Sequence, residues 1–245
     1  MEPHIESFPA RRHEMGRDRL MRIQSLCNCM EEAAGGHADK LGVGVEHLAE
    51  NGLTWVLAKL RLDIRRRPGA GETVIIETWP VNVERIQFRR DFIIRDHNRD
   101  TLATAVTQWV VMGLDSRRVD RFPAHIAALV PDNPPLAQES GDIRIPAVAD
   151  PKPGPCFPVR LADIDQNQHV NNVRYIDFIL ENALMAGKAD EPRQLELIFR
   201  AESRRGDIIA CASSPDEHDP KALIHSLTRQ SDGQELVRAR TVHSG

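Results

Sequence analysis

The feature that most constrains the fold is an order of structural elements that occurs twice along the chain. Apolar residues at steps of three and four predict one helix over residues 23–33, through Ile23, Leu26, Met30 and Ala33. The same spacing predicts a second helix over residues 173–184, through Val173, Ile176, Leu180 and Leu184. Strand-like runs follow each helix. A helix followed by antiparallel strands is typical of an α+β layer arrangement, and its recurrence predicts an internal duplication.

The predicted strands have period-two alternation or β-rich composition and end at turn residues. Residues 42–52 predict a loop or short irregular helix, and residues 96–100 predict the turn of a hairpin. The strands are predicted at residues 56–64, 72–81, 89–95 and 102–112, and again at residues 194–200, 207–213, 222–228 and 235–242.

Individual residues also match between the two halves. Gly71-Glu72 matches Gly206-Asp207 at a shift of 135 positions, and Leu102 matches Leu236 at a shift of 134. On the helices, Glu31 and Ala33 match Glu181 and Ala183 at a shift of 150. The connection between helix and first strand is therefore predicted to be about 15 residues longer in the first half.

Proline marks the junction between the halves. Residues 131–158 hold eight of the sixteen prolines, and proline removes a backbone donor and restricts the chain. The predicted organisation is a domain over residues 1–130, a linker over residues 131–155 and a domain over residues 156–245.

Charge and composition exclude several classes of protein. A net charge of −4 disfavours a nucleic-acid partner recruited by general basicity, and no apolar run predicts a membrane span. The mixed N-terminus lacks the apolar core of a signal peptide, and the four cysteines lack disulfide-framework or zinc spacing. We therefore expect reduced thiols, a cytoplasmic location, and no bound metal or cofactor.

The densest run of reaction-capable side chains, residues 163–172, precedes the second helix. Asp165, Asn167 and His169 alternate, so an extended loop would project them to one side. Histidine transfers protons near neutral pH, and an amide can stabilise an oxyanion, as can the free backbone amides at a helix start. Asn171 or Asn172 is expected to cap the helix. The alternative is a polar loop with an asparagine cap and no chemistry.

A second acid, Glu202, follows the first strand of the second half. Its arginine neighbours also suit an ordinary solvated surface. Shifted by 135 positions, Glu202 falls on Arg67. Shifted by 150, the three polar residues fall on Met15, Arg17 and Arg19, which predicts that only the second half carries a hydrolytic site.

The run from Asp163 to Ile176, reading DIDQNQHVNNVRYI, resembles the signature of the acyl-ACP thioesterases, plant and bacterial enzymes that end fatty-acid synthesis. The resemblance covers nearly the whole chain. It implies a tandem double hotdog, each half a long antiparallel sheet wrapped around a central helix. By position it assigns catalysis to Asp165, Asn167, His169 and Glu202, which predicts that Glu202 folds back to within water-bridging reach of His169. Some members have a cysteine after the acid. Ser203 stands there instead, which favours a water activated by carboxylate and histidine over a cysteine acyl-enzyme. Ser203 as the nucleophile is the alternative, although an unactivated serine hydroxyl is a weak nucleophile.

The resemblance also implies a substrate and a partner. The first half is expected to bind the acyl chain, with Met30, Ala34, Val56, Leu57 and Trp109 as candidates. The partner is an acidic acyl carrier protein, with a monomer or homodimer as the oligomeric state. Arginine clusters that can dock this carrier occur at residues 65–67, 89–90, 117–118 and 204–205.

Three alternatives remain at this point. An acyl-CoA thioesterase of the same fold would differ only in the carrier of the acyl group. A hotdog hydratase or dehydratase would form or remove a double bond without releasing thiol. An acyl-binding module with a decayed site would not turn over at all.

Overall fold

The computed structural model describes residues 2–84, 86–132, 134–139, 142–188 and 191–244, with the backbone alone for Ala124 and His125. It divides into two compact units. The first comprises Met1–Ala58 and Ile64–Gly141, and the second comprises Lys59–Asp63 and Asp142–Gly245. In the described part of the chain, no helix is long and apolar enough to cross a membrane.

The first unit is an antiparallel sheet with a long helix against it. The elements of this unit are β1 (His4–Pro9), α1 (Ile23–Lys40), α2 (Val45–Ala49), β2 (Leu53–Ile64), β3 (Thr73–Glu84), β4 (Gln87–Arg95), β5 (Thr101–Gly113), β6 (Val119–Asp120) and α3 (Ala124–Ala127). The sheet order is β1-β3-β4-β5-β2, with β6 beside β5, and α1 contacts β1 and β3. The predicted hairpin between β4 and β5 is confirmed, as is the short helix within residues 42–52.

The second unit has the same construction. The elements of this unit are β7 (Lys152–Pro158), α4 (Asn172–Met185), β8 (Gln194–Phe199), β9 (Ile208–Pro215), β10 (Ala222–Arg229) and β11 (Glu235–Val242). The sheet order is β8-β11-β10-β9-β7, and residues Lys59–Asp63, near the end of β2, pair with β8. The helix α4 contacts β7, β9, β10 and β11, so each unit has the helix-on-sheet layering expected of a hotdog.

The buried face is confirmed for α1 and corrected for α4. All four residues that predicted α1 are buried. On α4, Val173 and Ile176 are buried, but Leu184 is 46% exposed and Leu180 is only partly buried. The buried stripe continues through Ile179 and Ala183 instead. Each fully buried valine or isoleucine side chain of this stripe contributes about 1.5–3 kcal/mol to folding.

The proline-rich segment is not a free linker. β7 begins at Lys152, inside the segment predicted as linker, and pairs with β9. Upstream of it, Ile143 and Ile145 are buried against Ile224. Three residues of the predicted linker, Asn133, Ser140 and Gly141, lie outside the described residues. The prolines therefore accompany a docked segment and an edge strand, where a missing N–H is tolerated.

A turn before β3 and its counterpart before β9 show the duplication in three dimensions. Gly71 and Gly206 have φ angles of 88° and 95°, values that glycine adopts without steric cost. Glu72 accepts a hydrogen bond from the amide of Gly69, and Asp207 accepts one from the amide of Arg204. These contacts repeat at the predicted shift of 135 positions.

The loop before each helix repeats at a shift of 149, which corrects the expected 150. A single-turn 3-10 helix covers Arg12–Glu14 in one unit and Leu161–Asp163 in the other. Arg19 and Gln168 both have a φ of 64°. The counterparts of Asp165, Asn167 and His169 are therefore Gly16, Asp18 and Leu20, and not Met15, Arg17 and Arg19.

Candidate active site

The loop that carries the predicted site is anchored by the buried carboxylate of Asp163. This side chain accepts hydrogen bonds from the backbone and side chain of Arg160 and from Arg174 Nε, the last at 3.1 Å. Burial opposes its ionisation, but the bonds from Arg160 prevail and hold the pKa of Asp163 below its ordinary value. The Asp163 carbonyl also accepts the amide of Asn171, so both ends of the loop are tied together.

Within this loop the chain folds into a closed turn, which corrects the expectation of an extended segment. The Asp165 amide donates to the His169 carbonyl at 2.8 Å. Asp165 Oδ1 accepts the backbone amides of Asn167 at 2.8 Å and His169 at 3.2 Å. Asn167 Nδ2 lies 3.5 Å from Asp165 Oδ2. Asp165 therefore shapes the turn and orients Asn167, whose side chain is exposed.

The turn places His169 directly beside Glu202. The amide of Val170 donates to the Ser203 carbonyl at 2.9 Å, which joins the loop to the segment after β8. As a result, His169 Nε2 lies 3.1 Å from Glu202 Oε2. The predicted proximity of these two groups, separated by 33 positions in the sequence, is confirmed.

This pair has the geometry of a proton-transfer site. The histidine side chain is 17% exposed and the glutamate side chain is 36% exposed, so both lie partly at the surface. A carboxylate and an imidazole in contact can activate a water molecule and return its proton to a leaving group.

Ser203 is placed differently. Its side chain is fully buried, and its hydroxyl donates to Asp207 Oδ2 at 3.0 Å. A serine nucleophile needs a neighbouring base and access to the substrate. The hydroxyl here faces a structural carboxylate within the protein, so the geometry disfavours Ser203 as a nucleophile.

Two of the backbone amides at the start of α4, those of Val173 and Arg174, already have partners, so these two are not free to hold an oxyanion. Asn171 is the cap, since its Oδ1 accepts the Val173 amide at 2.8 Å, and Asn172 is the first helical residue. The Arg174 amide donates to the Asn171 carbonyl at 2.9 Å. The side-chain amide of Asn167 remains the candidate donor for an oxyanion.

The first unit closes the corresponding position with an ion pair. Asp18, the counterpart of Asn167, pairs with Arg67, the counterpart of Glu202. Leu20 replaces the imidazole of His169. This unit therefore keeps the backbone of the loop without the groups for proton transfer.

Comparison with known proteins assigns the family. The model of the acyl-ACP thioesterase N-terminal domain matches residues 2–130, and that of the C-terminal domain matches residues 154–244. The chain belongs to the acyl-ACP thioesterase family. It is therefore a thioester hydrolase, and its fold is the tandem double hotdog that the resemblance implied.

Relatives and a solved structure agree with this membership. The chain is 28% identical to oleoyl-acyl carrier protein thioesterase 1, chloroplastic, of Arabidopsis thaliana, over 97% of this chain and 75% of the relative. It is 30% identical to a chloroplastic oleoyl-acyl carrier protein thioesterase of Coriandrum sativum, over 96% and 69%. An acyl-ACP thioesterase structure from Bacteroides thetaiotaomicron superposes with a TM-score of 0.85 at 25% identity, covering 98% of this chain and 97% of that one.

The five residues predicted to bind the acyl chain all lie in the first unit. Met30, Ala34 and Leu57 are buried, whereas Val56 and Trp109 are partly buried. Trp109 packs against an apolar cluster that includes Phe88 and Val111. Such burial also suits ordinary core residues, and an acyl-binding role stays a prediction.

In two of the arginine clusters, most of the arginines are already paired with carboxylates or buried. Arg66 pairs with Glu72 and Asp96, and Arg67 pairs with Asp18. Arg90 is buried, and its Nη1 lies 3.0 Å from His37 Nδ1. Burial lowers the pKa of Arg90 to about 10.

In the pairs at 117–118 and 204–205, both arginines are exposed. Arg204 and Arg205 follow Glu202 by two and three positions, so they are the docking candidates at the site. Across the described residues, no group of three or more histidine, cysteine, aspartate or glutamate side chains is arranged to hold a metal ion.

Proposed function

We propose that this chain hydrolyses fatty acyl thioesters of acyl carrier protein at the His169–Glu202 pair. The observation that carries the proposal is the 3.1 Å contact between His169 Nε2 and Glu202 Oε2 beside the turn that orients Asn167. Family membership supports the reaction class, and the names of the relatives support the carrier.

The proposed reaction needs no covalent enzyme intermediate. Glu202, with His169 beside it, takes a proton from a water molecule as the water oxygen attacks the carbonyl carbon of the thioester. Asn167 Nδ2 donates to the oxyanion of the tetrahedral intermediate, with Asp165 holding the amide in orientation. The carbon–sulfur bond then breaks, the proton passes to the departing thiolate, and the products are a fatty acid and the carrier thiol.

The proposed partner approaches beside this pair. Arg204 and Arg205 are exposed and lie close in sequence to Glu202, and an acidic carrier would be attracted to them. The proposal has two further parts. The first unit binds the acyl chain, and the cytoplasm is the location, in keeping with four unpaired cysteine thiols.

The experiment that tests the proposal measures thiol release from two matched series of substrates. Acyl carrier protein and coenzyme A are each loaded with saturated chains of graded length, and the initial rate is recorded for every substrate. We expect thiol release with a higher kcat/KM for the carrier-protein series. A higher value for the coenzyme A series would instead favour the acyl-CoA thioesterase. Modification of the acyl chain without thiol release would favour a hydratase or dehydratase.

A further inference from the structure

The turn that carries Glu202 is held by one arginine from β10. Arg229 Nη2 donates to the Glu202 carbonyl at 2.6 Å. Arg229 Nε lies 3.3 Å from Asp207 Oδ2, the same oxygen that accepts the Ser203 hydroxyl and the Arg204 amide. Arg229 Nη1 reaches Asp232 at 2.7 Å. A single guanidinium thus joins the backbone of Glu202 to the carboxylate that closes the turn.

The equivalent turn in the first unit obtains its cation from a different place. There Arg66 Nη1 pairs with Glu72, the counterpart of Asp207, at 2.8 Å, and Arg66 Nη2 pairs with Asp96 at 2.9 Å. At the shift of 135 positions, Arg66 corresponds to Ala201. The second unit therefore lacks an arginine where the first unit has one.

Backbone bonds at the following hairpin show which residue corresponds to Arg229. In the first unit the Asp96 amide donates to the Asp100 carbonyl at 3.0 Å. In the second unit the Arg229 amide donates to the Gln234 carbonyl at 2.9 Å. Arg229 therefore stands where the first unit has Asp96, so the second unit places its arginine on the hairpin strand.

This difference in position changes what the arginine reaches. Within the described residues, the hydrogen bonds of the Arg66 side chain go to carboxylates alone. Arg229 approaches from β10 and donates in addition to the backbone carbonyl of the residue that faces His169. Both arginines help to close their turn. In addition, Arg229 fixes the backbone at Glu202.

We infer that Arg229 is a positioning residue, which sets the backbone of Glu202 so that its carboxylate faces His169. This inference rests on the proposed function of the pair. A rotation of the peptide at Glu202 would move the carboxylate away from the imidazole, and errors of about 1 Å at a reacting group can cost a hundredfold in rate.

The test compares Arg229→Met with Arg66→Met, which removes the equivalent guanidinium from the unit that lacks the pair. Thermal unfolding and the kcat and KM for acyl carrier protein substrates are measured for both. We expect both variants to lose thermal stability. Arg229→Met should lower kcat by tenfold or more with KM within about twofold of wild type, whereas Arg66→Met should keep the wild-type kcat. An equal loss of kcat in both variants would make the effect one of stability and overturn the inference.

Arg229→Lys decides the question if Arg229→Met does not fold. One ammonium group cannot occupy the separate positions of three guanidinium nitrogens, so kcat should still fall several-fold at unchanged KM. A wild-type kcat in either folded variant would overturn the inference. Failure of the proposed function is distinguishable, because then wild-type protein itself would release no thiol from any acyl carrier protein substrate.

Discussion

Replacing Glu202 with glutamine removes the proposed proton acceptor and keeps the size of the side chain. The amide cannot take a proton from water, and loss of a positioned general base costs about 10²–10⁴ in rate. At 1.36 kcal/mol per factor of ten, that is a rise of about 2.7–5.4 kcal/mol in the activation barrier. The stability cost is small, because the contact between Glu202 and His169 is partly exposed and such pairs contribute at most about 1 kcal/mol.

The assay is steady-state thiol release from an acyl carrier protein substrate, with thermal unfolding of the same samples. Glu202→Gln should lose at least a hundredfold in kcat while its unfolding midpoint stays near that of wild type. The matched control is Glu217→Gln, an exposed glutamate in the loop after β9, which should keep the wild-type kcat. A kcat for Glu202→Gln within threefold of wild type would refute the role of this carboxylate as the base.

Three further predictions concern the loop, the turn and the carrier. Asp163→Asn should lower the free energy of unfolding by about 1–3 kcal/mol at neutral pH. Because the folded pKa of Asp163 is depressed, the stability that its carboxylate contributes is lost as pH falls through that pKa. Urea titrations should therefore show the difference in unfolding free energy between wild type and Asp163→Asn shrinking below pH 3.8, and a constant difference would contradict this. Ser203→Ala should cost about 1 kcal/mol of stability from the bond to Asp207 and keep kcat within threefold; a hundredfold loss would restore the serine nucleophile. Arg204→Glu with Arg205→Glu should raise KM for acyl carrier protein, less so in high salt, and leave KM for acyl-CoA unchanged; equal effects on both substrates would exclude carrier docking there.

The long helices and inner strands were predictable because each buries one regular stripe or face. The phase of α4 was harder to predict. Ile179 and Ala183 form one apolar stripe with Val173, and Leu180 and Leu184 form another, so periodicity alone favours neither. Contact with four strands selects the first stripe and leaves Leu184 exposed.

The edge strands β1 and β7 were missed for a physical reason. An edge strand needs hydrogen bonds on one side only, so it accepts charged residues and prolines that weaken the strand signal. β1 has the sequence HIESFP and β7 has KPGPCFP. The second of these was therefore included in a predicted linker.

At the site, the sequence located the reactive residues but not the way their loop closes. The pairing of His169 with Glu202 depends on the backbone bond from Val170 to Ser203, which joins segments far apart in sequence. Gln168 has a positive φ, which permits the closed turn. A glycine at this position would have indicated such a turn in the sequence, but the residue is a glutamine.

The most direct test of the central claim is a double-mutant cycle on thiol release, with His169→Ala, Glu202→Ala and the double variant. If the two side chains act as one unit on the same water molecule, the double variant should be no slower than the slower single variant, and both single variants should lose at least a hundredfold in kcat. Fully additive losses would mean that the two groups act independently. A folded double variant that still turned over at the wild-type rate would place the hydrolytic centre elsewhere in the protein.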